Sequence, residues 1–413
     1  MSGRDPYAGG ATARYILLGS TVFLVLMGAL MVYSAASVSD YVNFDDSAHH
    51  FKRQLLFAAV GLVAMFVVQA MDFRLLRRLA WPIYFVCVAG LVLVLTMGVG
   101  KWGATRWIDL GFMTVQPSEY AKLACVLVAA VLLEQWRNGS ITGSRLAAGI
   151  FASCGAVVGL VMGQPDLGTT LSIAASVFVV LLVGGVSIRL LLAVATVGGI
   201  VATGFVFSAT YRAERFFAFL NPWADPQGSG YQTIQAMLAF GSGGITGLGV
   251  GMSRQKFFYL PAAHTDFIFA IIGEELGLVG ALSVVLAFGL FTYAGIRIAL
   301  GCKDRFGRLL VGGLTGMIAI QAIMNMAAVT SLMPVTGIPM PLVSYGGSSM
   351  TFTLACIGII LSVSSRGMRQ VGSARTPVTD KERTSARVDE RRRNGRSHLS
   401  GIDGGRTVHR RRA

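Results

Sequence analysis

Asp266 is the residue in this chain best placed to do chemistry. It closes the string His264-Thr265-Asp266, and the sequence after it turns apolar and largely stays so. A carboxylate at the junction of a loop and a membrane segment is expensive, and such residues mark functional sites. A helix starting there would turn residues 269, 270, 273 and 277 to one side. Gly273 and Gly277 would keep that face small and let a helix or a substrate approach. On the same helix Glu274 and Glu275 would lie about 12 Å deeper at 1.5 Å per residue. They would form either a buried paired network or a proton path. His264 has no second ligand at metal-binding spacing and reads as a hydrogen-bonding neighbour of Asp266.

Cations gather in the same half of the pattern. The stretch 103–122, GATRWIDLGFMTVQPSEYAK, holds Arg106 and Asp109, then Glu119 and Lys122 three residues apart on one helix face. Lys122 can snorkel outward or project into a polar cavity, and the closeness of Glu119 and Arg106 favours the cavity. Arg212, Arg215, Arg254 and Lys256 belong to a long loop, where four cations suit an anionic partner. The guanidinium fork fits phosphate oxygens in particular. The segment 333–350, MPVTGIPMPLVSYGGSSM, carries three prolines and three glycines between two apolar runs. Irregular backbone at membrane depth is tolerated where it is buried in protein or lines a wet cavity. Gln321 and Asn325, four apart on the preceding run, suit hydrogen bonding between helices. Gln116-Pro117-Ser118-Glu119 and Gln164-Pro165-Asp166 echo each other at the start of two runs, where capping and function explain them equally well.

The elements that hold these residues follow from hydropathy. The chain has 413 residues, 54% hydrophobic and 13% charged, against about 25% charged in soluble proteins. This composition excludes a soluble domain with an anchor and predicts an all-α polytopic membrane protein. Runs of about 20 apolar residues give ten spans, near 15–36, 54–71, 79–98, 117–135, 146–163, 167–186, 190–208, 266–296, 309–332 and 348–365. Lys and Arg in the short loops put both termini inside. The loops at 98–115, 209–265 and 333–347 are then outside, the largest lying between the seventh and eighth spans. The organisation is an N-terminal cytoplasmic segment 1–14, a membrane domain 15–365 and a basic, disordered tail 366–413. The net charge is +15, and from Arg366 onward 14 Lys/Arg stand against 5 Asp/Glu. That tail fits the positive-inside bias and can also meet anionic membrane lipid. Without aromatic residues between its arginines it does not suit nucleic acid. The five cysteines, Cys87, Cys125, Cys154, Cys302 and Cys356, have no metal-ligand spacing and read as packing residues.

The polarity lies at the outer rim rather than at the midplane, where transporter sites sit. That favours chemistry on an anionic, lipid-linked molecule at the outer leaflet. At this point five ordered strings carry a resemblance: GATRWIDLG…QPSE..K, QPDLGT, NPW.D..G.GYQ..Q, GLG.G.S.QK..YLP.AHTDFIFAIIGEELG and P.TG.P.PLVSYGGSS. Over residues of about 14 to 366 the chain resembles the SEDS family (shape, elongation, division and sporulation), its cell-division branch more than its elongation branch.

The resemblance implies ten membrane helices in the bacterial cytoplasmic membrane, at the division septum. It implies a peptidoglycan glycosyltransferase that polymerises lipid II beside a class B penicillin-binding protein and other division proteins. It implies that Asp266 is the essential acid, here a general base, and that Lys122 is the cavity lysine. Glu119, Arg106, Gln235, Lys256, His264 and Ser344 stand at further positions of these strings, and they and the loop cation Arg215 would contact the substrate. A divalent cation, Mg or Mn, could share the neutralisation of the pyrophosphate, though no ligand cluster is evident. Two departures are visible: Ala262 where most members carry Glu, and Ala236 where Ser is frequent. A rival function, a lipid II flippase, is kept open by Glu274, Glu275 and Asp166. A recruiting scaffold is a third.

Overall fold

The computed structural model describes residues 8–101, 104–109, 114–208 and 210–367. The basic tail beyond residue 367 and the first seven residues lie outside that range. Thirteen helices are described: α1 (Ala8–Phe44), α2 (His49–Ala70), α3 (Phe73–Met97), α4 (Pro117–Arg137), α5 (Gly143–Met162), α6 (Leu167–Val183), α7 (Ile188–Phe207), α8 (Thr210–Leu220), α9 (Tyr231–Gly243), α10 (Ile268–Glu275), α11 (Gly277–Gly301), α12 (Arg305–Val329) and α13 (Gly347–Arg366).

Eight of them are long and apolar enough to cross a membrane: α1, α2, α3, α5, α7, α11, α12 and α13. The other two expected spans depart from that standard for separate reasons. α4 carries Glu119, Lys122, Glu134 and Arg137, and it is buried along almost its whole length. A helix shielded from lipid by its neighbours can keep charges that an exposed span cannot. α6 has 17 residues, about 25 Å at 1.5 Å per residue, against a hydrocarbon thickness of about 30 Å.

The expectation of an all-α chain needs a correction. Three short strands, β1 (Val99–Lys101), β2 (Ala104–Asp109) and β3 (Thr114–Val115), form a small antiparallel sheet in the order β1-β2-β3. Hydropathy marks this stretch only as a polar loop, because so short a sheet has little apolar alternation. The second correction concerns the long loop. Residues 209–265 include the amphipathic α8, a 3-10 turn at Pro222–Ala224 and α9.

α4 lies at the centre, against α3, α5, α6 and α12. α12 meets α6 through glycines: a Cβ at Gly316 would lie 2.4 Å from Val179 Cγ1. α13 meets α2 the same way, a Cβ at Gly358 falling 2.5 Å from the Met65 carbonyl oxygen. Close backbone approach is how helices gain contact where lipid removes the hydrophobic drive between them. α7 buries only Leu191 along its length.

Two ends of the bundle result. At one end cations tie the turns together: Arg137 donates to the Gly184 and Gly185 carbonyls, Arg305 to Asn138 Oδ1, and Arg366 to the Ala70 carbonyl. At the other end lie Asp266, the sheet and the loop 330–346.

Candidate active site

The sequence places Asp266 at the start of a span, and the structure revises that geometry. The helix after it, α10, is only eight residues long. The chain breaks at Gly277, whose φ is +66°, a conformation that costs glycine little and other residues much. The face 269, 270, 273 and 277 is therefore not continuous. Gly273 does permit a close approach, but of α9: a Cβ there would meet Phe240 at 2.3 Å.

The segment before Asp266 is a tight turn. Ala262 has φ of +56°, and its carbonyl accepts from the Thr265 amide at 3.0 Å and the Phe267 amide at 3.4 Å. A non-glycine residue in this region is strained, and such strain gathers at functional sites. Asn325 on α12 fixes the far side. Its Nδ2 donates to the Asp266 carbonyl and to the Ile338 carbonyl, both at 2.8 Å. The acid and the loop from α12 to α13 are thereby held on one side chain. Gly337, with φ of +68°, leaves the space in front of the carboxylate open: a Cβ there would be 3.6 Å from Asp266 Oδ2. A narrow cavity follows, lined by Asp266, Asn325, Thr336, Gly337 and Ile338 among others.

The electrostatics of Asp266 suit a base. Burial pushes its carboxyl up to about 6, against the pull of Arg106 and Arg215 and with some help from Asp166. Arg106 reaches this point from β2. Its Nη2 donates to the Pro165 carbonyl at 2.9 Å and its Nε lies 3.5 Å from Asp166 Oδ2. Asp166 in turn caps α6, accepting from the Thr169 amide at 3.0 Å and the Thr169 hydroxyl at 2.8 Å. The Gln-Pro-Asp echo is thus a cap and a brace for Arg106 at once. Arg215 comes from α8. Both cations act electrostatically on the half-buried Asp266 carboxylate.

The other expected residues fall into separate groups. Lys122 is buried, 1% exposed, and does not snorkel. Its ammonium pairs with Glu119 at 2.8 Å and donates to Gln321 Oε1. Gln321 donates to the Pro339 carbonyl at 3.0 Å, so Lys122 acts on the loop 330–346 from beneath. Ser344 is also structural: its hydroxyl accepts from the Met340 amide at 2.8 Å, while Gln54 donates to its carbonyl at 3.3 Å. Gln235 is half-buried on α9.

Lys256 lies apart from Asp266. Its ammonium is 3.7 Å from Glu275 Oε1 and donates to the Gly251 carbonyl. This pair explains the two glutamates. Glu275 accepts from the Ser34 hydroxyl at 2.6 Å and from the Gly251 and Ser253 amides at 3.0 and 3.2 Å. Glu274 accepts from the Ser253 hydroxyl and from the Arg254 amide at 2.9 Å. Both carboxylates anchor the loop 247–256 to α1 and α10. They sit buried at the end of α10, in the paired network that was one of the two expectations for them.

His264 packs against His50, ring centroids 4.7 Å apart, and Tyr345, 5.8 Å apart. Burial, with His50 beside it, pushes its imidazole down to about 4, so the ring is neutral at ordinary pH. Among the described residues no group of three or more His, Cys, Asp or Glu is arranged to hold a metal ion. Asp166 lies instead against the guanidinium of Arg106, 3.5 Å away. Sequence reasoning missed Ser34, Asp40 and His50. They lie on helices whose local pattern is that of an ordinary span, and their partners are remote in sequence.

Comparison with known proteins shows the family. Residues 15–368 match the family described as cell cycle protein, FtsW, RodA and SpoVE. Stage V sporulation protein E of Bacillus subtilis is 43% identical over 354 residues, 84% of this chain and 96% of its own length. The probable peptidoglycan glycosyltransferase FtsW of Trichlorobacter lovleyi is 40% identical over 373 residues, 89% of this chain and 95% of its own. Among solved structures, a chain of a peptidoglycan synthase complex that coordinates polymerization and crosslinking superposes with a TM-score of 0.69 at 31% identity, over 84% of this chain and 96% of that one. The rod shape determining protein RodA of Thermus thermophilus gives 0.63 at 31% identity, over 85% and 96%.

Proposed function

The chain belongs to the cell cycle protein family of FtsW, RodA and SpoVE, and on that premise we propose that it is a peptidoglycan glycosyltransferase polymerising lipid II. The observation that carries the reading is the half-buried Asp266, its carboxyl raised to about 6 by burial while Arg106 and Arg215 face it. A base poised near the working pH keeps both its ionised form and its proton affinity. In this reading α4 and α6 cross the membrane with the eight apolar helices, giving ten spans with both termini cytoplasmic. The Asp266 end then faces outward, and the cation-rich turns face the cytoplasm.

The reaction joins two lipid-linked saccharides. The acceptor sugar's hydroxyl oxygen attacks the donor's anomeric carbon as Asp266 takes its proton. The bond from that carbon to the pyrophosphate oxygen breaks with inversion, and the electron pair leaves with the lipid pyrophosphate. Arg106 and Arg215 stabilise the charge that develops there. Lys122 and Glu119 set the height of the loop 330–346 through Gln321, and Lys256 holds the loop 247–256. A class B penicillin-binding protein supplies the crosslinking, as the likeness to a chain of a synthase complex supports. The FtsW names of the relatives support septal work in cell division.

The flippase reading loses its main residues here. Glu274 and Glu275 are consumed in anchoring a loop, and Asp166 in capping α6. The test uses the purified chain with its transpeptidase partner in vesicles, lipid II being supplied on one leaflet. Glycan polymer without translocation supports the polymerase. Translocation without polymer overturns it.

A further inference from the structure

We propose that Asp40 and His50 are positioning residues for the catalytic acid, acting through His264 and Tyr345. Asp40 lies near the end of α1 and is 1% exposed. A carboxylate so deeply buried must be paired or hydrogen-bonded. It is satisfied by one residue: Oδ2 accepts the His50 amide at 2.8 Å, and Oδ1 meets His50 Nδ1. The two bonds fix both the first turn of α2 and the angle of the imidazole. The short α1–α2 turn is therefore built to present one ring in one orientation.

That ring ends on the segment carrying Asp266. It meets Tyr345 edge-on, centroids 4.6 Å apart, and lies 4.7 Å from His264. Tyr345 closes the circuit, because its amide donates to the His264 carbonyl at 3.0 Å. His264 is two residues before Asp266. The acid is thus held from one side by Asn325 on α12 and from the other by a ring stack rooted in Asp40. Neither Asp40 nor His50 reaches the space in front of Asp266, so neither touches a substrate there. Their effect passes through the position of the base, and a displacement of about 1 Å in a reacting group can cost 10²-fold in rate.

The proposal rests on Asp266 being the base, and its test separates the two claims. Lipid II polymerisation is measured on the full chain with its transpeptidase partner for His50→Ala, His50→Phe, Asp40→Asn and the Asp40→Asn/His50→Ala double variant. The expected result is a fall in kcat of about 10- to 100-fold with KM for lipid II nearly unchanged, read well below a melting temperature that unpairing the buried Asp40 will lower. His50→Phe keeps a ring and the backbone amide but loses the ring's bond to Asp40, and it should be as slow as His50→Ala. The double variant should be no slower than the worse single one, since both act through one contact. Parental kcat in His50→Ala, a change confined to KM, full rescue by His50→Phe, or multiplying losses would each overturn the proposal. Asp266→Asn is run alongside: activity there removes the base assignment, whereas an inactive Asp266→Asn with an active His50→Ala removes only the role of His50.

Discussion

Removing Arg106 should move the acid limb of polymerisation toward neutral pH. Asp266 must be ionised to accept a proton, and its carboxyl is raised to about 6. The rate should therefore fall through about pH 6, approaching tenfold per unit below it. Arg106 is the first of the two cations that oppose the rise, and an adjacent arginine lowers a carboxyl by roughly 1 to 3 units. Arg106 acts on Asp266 through space while its ion pair is with Asp166, so the lower figure is the ceiling and Arg106→Gln should shift the limb up by at most about one unit. At that ceiling the ionised fraction at pH 6 would drop from about a half to about a tenth, while at pH 8 it would scarcely change. Arg106 is also proposed to meet the pyrophosphate, so the absolute rate will fall at every pH. The position of the limb, not its height, carries the test. The assay is kcat/KM for glycan polymerisation, from initial rates at subsaturating lipid II between pH 5 and 8.5, and Arg215→Gln should shift the limb in the same direction by less. A limb that stays at the same pH in Arg106→Gln, or a parental profile flat down to pH 5, would refute the reasoning.

Further expectations concern stability. Glu275→Ala leaves the buried Lys256 without its counter-ion and two loop amides without an acceptor. Breaking a buried pair costs about 3–5 kcal/mol, so hydrogen exchange should show the loop 247–256 opening, and Glu275→Gln should be milder. A Glu275→Ala loop as protected as the parent's would contradict the anchoring role. Asp266→Asn should raise the melting temperature at pH 7.5. The acid's folded-state value lies above its usual 3.8, so the folded chain binds more protons and stability falls as pH rises from about 4 to 6. The gain should reach at most about 3 kcal/mol from a rise of about two units and vanish below pH 4; an equal difference at pH 3.5 would point to another cause.

Much of the site could be read from residue types, because its parts are local. His264-Thr265-Asp266 precedes an apolar run, and the Gln-Pro-Asp string marks a helix start, so both show in hydropathy and capping chemistry. The structure brings Arg106 and Arg215 to Asp266 by way of β2 and α8, elements that polar, loop-like sequence hides. The break at Gly277 was not legible, since hydropathy sees one apolar run where the backbone makes two helices. The sequence leaves the glutamates behind Asp266 open between a buried network and a proton path, and their hydrogen bonds are those of a network. Their partner Ser34 is 241 residues away from Glu275, and no periodicity encodes such a pairing. Lys122 shared a face with Glu119 as its spacing requires, but which neighbour that face would meet depended on α12. The Asp40–His50 pair escaped notice because two polar residues at the mouth of a span look like ordinary loop chemistry.

The base at Asp266 is the centre of the account, and one substitution tests it most directly. Asp266→Asn preserves the size of the side chain and removes its ability to take a proton. Polymerisation of lipid II by the purified chain with its transpeptidase partner should be lost in that variant, by at least the 10²-fold typical of removing a general base. Membrane insertion and partner binding should be retained. Polymer formed at the parental rate would contradict the account.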